Sequence, residues 1–192
     1  GLLGYKPYHA FVAGKPAEEV GIHDMLPASL MSLANELGLI IMLHISRRQR
    51  LADPDNQREI LELADRWPRA RIVLAHIGRA YYLKNIVGRL DQIRTRPNVY
   101  VDLAMLNHWE VLEYLFQEFP RERILFGTDM PVSCLGGKSV EINDQYAYIV
   151  EDDLRMGAMI HDARRAVEFT YFYYEELRAL RKAMDRVRMS RS

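Results

Sequence analysis

Three apolar runs in this chain each end on a side chain that can bind a metal ion or carry a proton. The first run ends on His44, the second on His76 and the third on Asp129. Near-continuous apolar runs are typical of parallel strands that are buried on both faces, where a polar group is tolerated mainly at the strand end. Right-handed crossovers place the carboxyl ends of parallel strands on one side of the sheet. We therefore expect two imidazoles and a carboxylate to lie together at one rim, which is where α/β barrels carry their active sites.

Strands and helices alternate along the rest of the chain, one strand-helix unit after another. The patterns predict strands over 2–8, 39–45, 71–77, 99–103 and 123–129, and helices over 28–37, 83–93 and 110–119, with a further helix that starts at Asp53-Pro54 and stops at Pro68. Gly38 is predicted to end the first helix, and Asp53 is predicted to cap the second. The segment 130–143 is expected to be an irregular connection at the rim, and 167–187 to be an amphipathic helix.

The number of units suggests an incomplete barrel. A closed (β/α)8 barrel takes about 250 residues, whereas this chain has 192 and room for five strand-helix units. We predict an incomplete TIM-type barrel over 1–143 and a C-terminal helical extension of the same domain over 144–192. About three strands are expected on the N-terminal side, because the first unit already begins in an apolar run. The tail helix is expected to cover the barrel or to form the interface of a homo-oligomer.

Composition narrows the range of partners. The chain has 26 basic and 26 acidic residues, so its net charge gives no reason to expect binding to nucleic acid or to an anionic membrane. The single cysteine, Cys134, excludes an internal disulfide and favours a reducing compartment such as the cytoplasm. The longest apolar run, 37–43, is far shorter than the roughly 20 residues that cross a bilayer. We expect a soluble protein that acts on a small molecule.

Five segments together carry a family resemblance. They are GYKP from Gly4, LH ending at His44, LAHIG from Leu74, VYVD from Val99 and ILFGTDMP from Ile124. In this order and spacing they resemble the amidohydrolase superfamily, and within it the branch that contains aminocarboxymuconate-semialdehyde decarboxylase and related decarboxylases, hydratases and lactonases. The resemblance covers residues 1 to about 131. It implies that the five strands are the fourth to eighth strands of the family barrel.

The resemblance also implies roles for the strand-end residues. His44 and Asp129 match family positions that bind the metal ion, and His76 matches a histidine that either completes a second metal site or acts as an acid/base group. Zinc accepts imidazole nitrogen and carboxylate oxygen, and manganese is the alternative because this mixed ligation suits both. Asp129 and His76 are also the expected catalytic pair for proton transfer.

One family feature has no counterpart in this sequence. The family takes further ligands from a His-x-His or Glu-x-His pair on its first strand, and neither pair occurs before His44. Catalytic zinc usually has three protein ligands. The activity of the isolated chain is therefore left open by the sequence.

Four further residues are candidates for substrate binding. Arg47 and Arg79 follow the two histidines, and a guanidinium group binds a carboxylate through a bidentate fork; pairing with nearby acids is the competing interpretation. Asp102 ends a strand, where a substrate contact and a backbone cap are equally compatible with the pattern. Lys6 is near the strand that carries a carboxylated lysine in some binuclear members of the family.

Three functions remain compatible with these patterns. The first is a metal-dependent hydrolase that acts on a small carboxylated substrate through a metal-activated water. The second is a metal-dependent decarboxylase of the same superfamily, which uses a similar rim. The third is a noncatalytic, incomplete barrel that serves in folding or association.

Overall fold

A five-stranded parallel sheet forms the centre of the molecule. The structure is a computed structural model, and it describes residues 3–143, 145–153, 159–164 and 166–189. The strands are β1 (Gly4–Tyr5), β2 (Ile40–Leu43), β3 (Arg71–Leu74), β4 (Val99–Asp102) and β5 (Ile124–Leu125), and they lie side by side in this order. All four neighbouring pairs are parallel. Their carboxyl ends therefore lie on one side of the sheet, as the sequence predicts.

Five α-helices accompany the strands in the part of the chain that the structure describes. They are α1 (Ile22–Met25), α2 (Ala28–Leu37), α3 (Pro54–Arg66), α5 (Trp109–Glu118) and α6 (Phe172–Arg186). The short segment α4 (His76–Arg79) is a left-handed turn, because all four of its residues have a positive φ. Gly38 ends α2 in the left-handed conformation, with a φ of 65°, and the Asp53 carboxylate accepts two backbone N–H groups at the start of α3. Both helix boundaries follow the predicted capping chemistry.

A second, three-stranded sheet follows the parallel one. The strands β6 (Gly137–Ile142) and β7 (Gln145–Val150) form an antiparallel hairpin, and β8 (Met159–His161) pairs with β7 in parallel. The prediction of an irregular connection over 130–143 is therefore wrong for its second half. Buried and more exposed positions alternate along β6. Its polar and charged residues hide this alternation in the sequence, so the strand was not predicted.

The predicted helix over 83–93 is also wrong. Only short 3-10 turns form there, at Leu83–Asn85 and Ile93–Thr95. Gly88 lies between them with a φ of 70°, which a continuous helix does not allow. Of the apolar residues that suggested the helix, Ile86 and Leu90 are buried in the core, whereas Leu83 and Val87 are exposed.

The sheet and its helices enclose one main core. Its fully buried members include Ile41, Leu43, Ile72, Leu74 and Val101, from three successive strands. Burial on both faces explains why these strands are continuous apolar runs in the sequence. The α/β prediction is thus confirmed, while the incompleteness of the barrel and the domain boundary at 143/144 stay predictions. Within the described ranges no helix is long and apolar enough to span a membrane.

Candidate functional site at the strand ends

His44 and His76 lie side by side at the carboxyl end of the sheet. They follow β2 and β3, whose last residues, Leu43 and Leu74, are directly paired. The two imidazole rings meet edge to face, with their centroids 5.3 Å apart. Only 6% of His44 and 3% of His76 is exposed. The parallel register of the sheet thus brings together two histidines that are far apart in the sequence.

The His76 ring is fixed by the neighbouring strand-end loop. Its Nδ1 lies 2.9 Å from the carbonyl oxygen of Ala104, so Nδ1–H donates to that oxygen and Nε2 is left without a proton in the neutral ring. Nε2 is 3.9 Å from Oδ2 of Asp129. The His76 backbone has a φ of 55°, a left-handed conformation that non-glycine residues adopt mainly where the surroundings impose it. The basic nitrogen of His76 therefore faces the Asp129 carboxylate.

His44 is held in its neutral form. Burial lowers its pKa to about 2, and the nearby charge of Arg79 acts in the same direction. Its Nδ1 is buried and has no hydrogen-bond partner among the described residues. A neutral imidazole with an unpartnered nitrogen is the form in which histidine binds a metal ion or accepts a proton.

Asp129 and Lys6 complete the group at the rim. The Lys6 Nζ lies 3.6 Å from Oδ1 of Asp129, and both side chains are partly exposed. The backbone of Asp129 is left-handed, with a φ of 60°. His44, His76 and Lys6 thus come to one place from the ends of β2, β3 and β1, whereas Asp129 lies in the loop after β5, which ends at Leu125. The predicted strand over 123–129 is therefore wrong beyond Leu125.

Asp102 is buried, and its carboxylate accepts hydrogen bonds from the backbone. Its Oδ1 accepts the backbone N–H of His76 at 2.8 Å and that of Ala104 at 3.2 Å. Burial raises the pKa of this carboxyl, while the adjacent His76 and the two backbone N–H groups lower it and oppose that rise. Asp102 therefore fixes the two loops that orient His76, and its contact with a substrate stays a prediction.

The two candidate arginines have different surroundings. Arg47 Nη2 is 2.5 Å from Oε1 of Glu59, and its Nη1 donates to Asn56 at 2.9 Å, so its guanidinium is engaged on α3. Arg79 donates to the hydroxyl of Tyr146 at 3.1 Å, and its Nε is buried without a partner among the described residues. Arg79 Nη1 also donates to the carbonyl oxygen of Ile45 at 3.4 Å. Of the two predicted carboxylate anchors, Arg47 is paired with a carboxylate, whereas the hydrogen-bond partners of Arg79 are neutral.

Glu176 is a residue of this region that the sequence analysis missed. It comes from α6, only 1% of it is exposed, and its Oε2 accepts the backbone N–H of Met105 at 3.1 Å. Burial raises its pKa to about 8, and the charges of Asp102 and Asp129 add to this effect. A signal was present, because Glu176 occupies a helical position on the same face as the buried Phe172 and Ala179.

The donor set fits a metal site in kind but not in arrangement. Two imidazoles and a carboxylate are ligands that zinc accepts, and His44 offers an unpartnered nitrogen. However, within the described residues no group of three or more His, Cys, Asp or Glu side chains is arranged so that it could hold a metal ion. These residues therefore do not complete a metal site, and zinc and manganese stay predictions.

Comparisons with known proteins give the family and the fold of the chain. A family model described as amidohydrolase matches residues 12–169. The fold is similar to the crystal structure of an amidohydrolase from Burkholderia multivorans with bound HEPES, with a TM-score of 0.58 and 12% identity. That match covers 99% of this chain and 59% of the other, so the chain spans less than two thirds of its length. A weaker similarity, with a TM-score of 0.36 and 21% identity, links 55% of this chain to 45% of 2,6-dihydroxybenzoate decarboxylase in complex with 2,6-dihydroxybenzoate. No curated protein matches the sequence.

Proposed function

Because this chain belongs to the amidohydrolase family, we propose that its strand-end site takes part in the hydrolysis of a small molecule that carries a carboxylate. The observation that carries the proposal is the convergence of His44, His76 and Asp129, with the basic Nε2 of His76 3.9 Å from the Asp129 carboxylate. This is the arrangement that proton transfer to and from a reacting water requires.

His76 is the proposed acid/base group. Its Nε2 accepts a proton from the attacking water, and the same nitrogen then returns that proton to the leaving amine or alkoxide as the carbon-nitrogen or carbon-oxygen bond breaks. Asp129 stabilises the imidazolium that exists between these two steps. The Ala104 carbonyl holds the ring in one orientation throughout.

Arg79 is the proposed substrate anchor. Its guanidinium is close to His44, as its effect on the pKa of His44 indicates, and its Nε has no partner among the described residues. The two partners of its terminal nitrogens, the Ile45 carbonyl and the Tyr146 hydroxyl, are neutral, so its charge remains available for a substrate carboxylate. Arg47 is not part of the proposal because its guanidinium already donates hydrogen bonds to Glu59 and Asn56.

Metal dependence is a separate part of the proposal. His44 and Asp129 are the residues whose chemistry suits zinc or, alternatively, manganese, since Nε2 of His76, the ring nitrogen that does not face the Ala104 carbonyl, is given to proton transfer. The roles given above to His76, Asp129 and Arg79 concern proton transfer and substrate binding alone. The metal content of the purified protein is therefore a measurement separate from its catalytic activity.

The decisive experiment is an assay of the purified protein on small carboxylated esters, lactones and amides, with and without added Zn²⁺ or Mn²⁺. Release of acid indicates hydrolysis, whereas release of carbon dioxide from aromatic or unsaturated acids indicates the alternative, decarboxylation. We expect His76→Asn to lower kcat at least about 100-fold, since general acid/base catalysis contributes about that much or more. We expect Arg79→Lys to raise KM with a smaller effect on kcat.

The matched control is His23→Asn. His23 is an exposed histidine on α1 that lies beside Glu62, and we expect this variant to keep full activity. A folded protein that turns over neither class of substrate, under any metal condition, contradicts the proposal and supports a noncatalytic module. Equal activity of His76→Asn and the unaltered protein contradicts the role given to His76.

A further inference from the structure

A polar cavity lies beside the strand-end site and is not used by the proposed reaction. Its volume is about 690 Å³, and its lining includes Arg48, Arg50, Arg89, Asn85 and Tyr146. It lies between the loop that follows β2, the segment around the 3-10 turn Leu83–Asn85, and the β6–β7 hairpin. We call it the arginine pocket.

The pocket brings three arginines together. Within the described residues, none of Arg48, Arg50 and Arg89 forms an ion pair. This distinguishes them from other surface arginines such as Arg94 and Arg96, which each pair with a carboxylate. Among the described residues that line the pocket, four are basic (Arg48, Arg50, Lys84 and Arg89) and none is acidic, whereas the chain as a whole has equal numbers of acidic and basic residues, so the positive charge here is a local excess. Such an excess in a concave site concentrates anions.

Arg50 is held in place before any ligand binds. Its guanidinium carbon is 4.0 Å from the centre of the Tyr146 ring, a cation-π distance. Its backbone has a φ of 54°, and its carbonyl oxygen accepts a hydrogen bond from the Asn56 side chain at 2.8 Å. A cation that is already oriented loses little further freedom when an anion binds.

Tyr146 connects the pocket to the strand-end site. Its ring contacts Arg50, and its hydroxyl accepts a hydrogen bond from Arg79 at 3.1 Å. Arg79 also lowers the pKa of Arg50 through its charge, although burial is the larger cause. The guanidinium of Arg50, in the arginine pocket, thus contacts the ring of Tyr146. The guanidinium of Arg79, at the strand-end site, contacts its hydroxyl.

From these observations we propose that the arginine pocket binds a small polyanion, which is a phosphate ester or a di- or tricarboxylate with at least two negative charges. One negative charge would leave most of the charge of the three arginines unbalanced, whereas two or three match it. Guanidinium groups bind phosphate and carboxylate through the same fork of donors. This proposal does not rest on hydrolysis at the strand ends.

The test is a direct measurement of binding by isothermal titration calorimetry with two probes, inorganic pyrophosphate and citrate, at an ionic strength held constant with sodium chloride. We expect saturable binding of at least one probe, and the tighter one identifies the phosphate or the carboxylate class. Arg48→Gln and Arg89→Gln should each weaken that binding about tenfold, the loss of one charge-assisted contact. Both side chains are exposed, so both variants should fold.

Two controls separate this site from others. Arg71 is exposed at the start of β3, at the opposite end of the sheet, so Arg71→Gln should bind as the unaltered protein does. His44→Ala should also keep its affinity, because binding through the strand-end site or a metal ion there would be weakened instead. The proposal is overturned by the absence of saturable binding of both probes. It is also overturned if Arg48→Gln and Arg89→Gln bind as tightly as Arg71→Gln, or if His44→Ala abolishes binding.

Discussion

Replacement of Glu176 by glutamine is expected to change how the stability of the protein depends on pH. Glu176 is 1% exposed, and burial beside Asp102 and Asp129 raises its pKa from the ordinary 4.5 to about 8. Between these two values the folded protein keeps a proton on Glu176 that the unfolded chain has released. The contribution of Glu176 to stability is therefore fully present below pH 4.5 and is lost as the pH rises through 8.

The magnitude follows from the two pKa values. At about 1.4 kcal/mol for each pH unit, the rise from 4.5 to about 8 corresponds to a loss of about 5 kcal/mol in the free energy of unfolding when the pH is raised from 4.5 to above 8. Asp129 is partly exposed, and water near it screens part of this repulsion. We therefore expect a measured effect of about 2 to 5 kcal/mol.

Glutamine is the appropriate replacement because its amide resembles the protonated carboxyl group and does not ionise. Its side-chain oxygen can still accept the backbone N–H of Met105, which lies 3.1 Å from Oε2 in the unaltered protein. At pH 5 the Glu176→Gln variant should be about as stable as the unaltered protein. At pH 9 it should be the more stable of the two by about 2 to 5 kcal/mol.

The assay is urea-induced unfolding at pH 5 to pH 9, with both proteins measured in the same buffers. The difference between them isolates Glu176 from every other titrating group. Glu122→Gln, which changes an exposed glutamate, is the matched control and should follow the unaltered protein at each pH. A difference between Glu176→Gln and the unaltered protein that stays constant within about 0.5 kcal/mol across this range would refute the reasoning.

Three further predictions concern the free energy of unfolding, each measured by urea titration at pH 7. Glu59→Ala should cost about 3 to 5 kcal/mol, because it leaves the largely buried Arg47 without its partner at 2.5 Å; a cost below 1 kcal/mol would mean that water replaces the ion pair. Leu74→Ala, at a core position with 0% exposure, should cost about 2 to 5 kcal/mol, and Leu37→Ala, at a position 60% exposed, should change stability by no more than about 0.5 kcal/mol. Similar costs for these two leucines would contradict the assignment of the core. Asp53→Ala should cost about 1 kcal/mol through loss of the cap of α3, and Asp53→Asn, which keeps a capping oxygen, should restore most of it.

Local chemistry was sufficient to predict several elements of the fold. Gly38 ends α2 and Asp53 caps α3 because a left-handed glycine and a capping carboxylate act within one turn of the chain. The apolar runs before His44 and His76 predicted buried parallel strands, and β2 and β3 are such strands. A continuous apolar run is by itself enough to indicate that both faces of a strand are buried.

Other elements depended on contacts that the sequence does not display. The segment 83–93 has apolar residues at helical spacing. However, the positive φ of Gly88 interrupts it, and only short 3-10 turns form as it packs against the core. The strand β6 forms because β7 lies beside it, and its charged residues give only a weak pattern. Pairing between strands is a non-local interaction, so strand propensity alone predicts it poorly.

For the site itself, the sequence determined that His44 and His76 follow neighbouring strands, because the register of a parallel sheet and the position of each residue along its strand place both at one edge. Asp129 lies beyond the end of β5 and reaches the same edge through a loop. Only the tertiary structure decided the contacts of the site residues. These are the carbonyl that orients His76, the glutamate that pairs with Arg47, and the helix that brings Glu176 into the same region. The physical reason is that a strand end is fixed by local geometry, whereas a hydrogen-bond partner or a raised pKa is set by groups from distant parts of the chain that meet only when the core has formed.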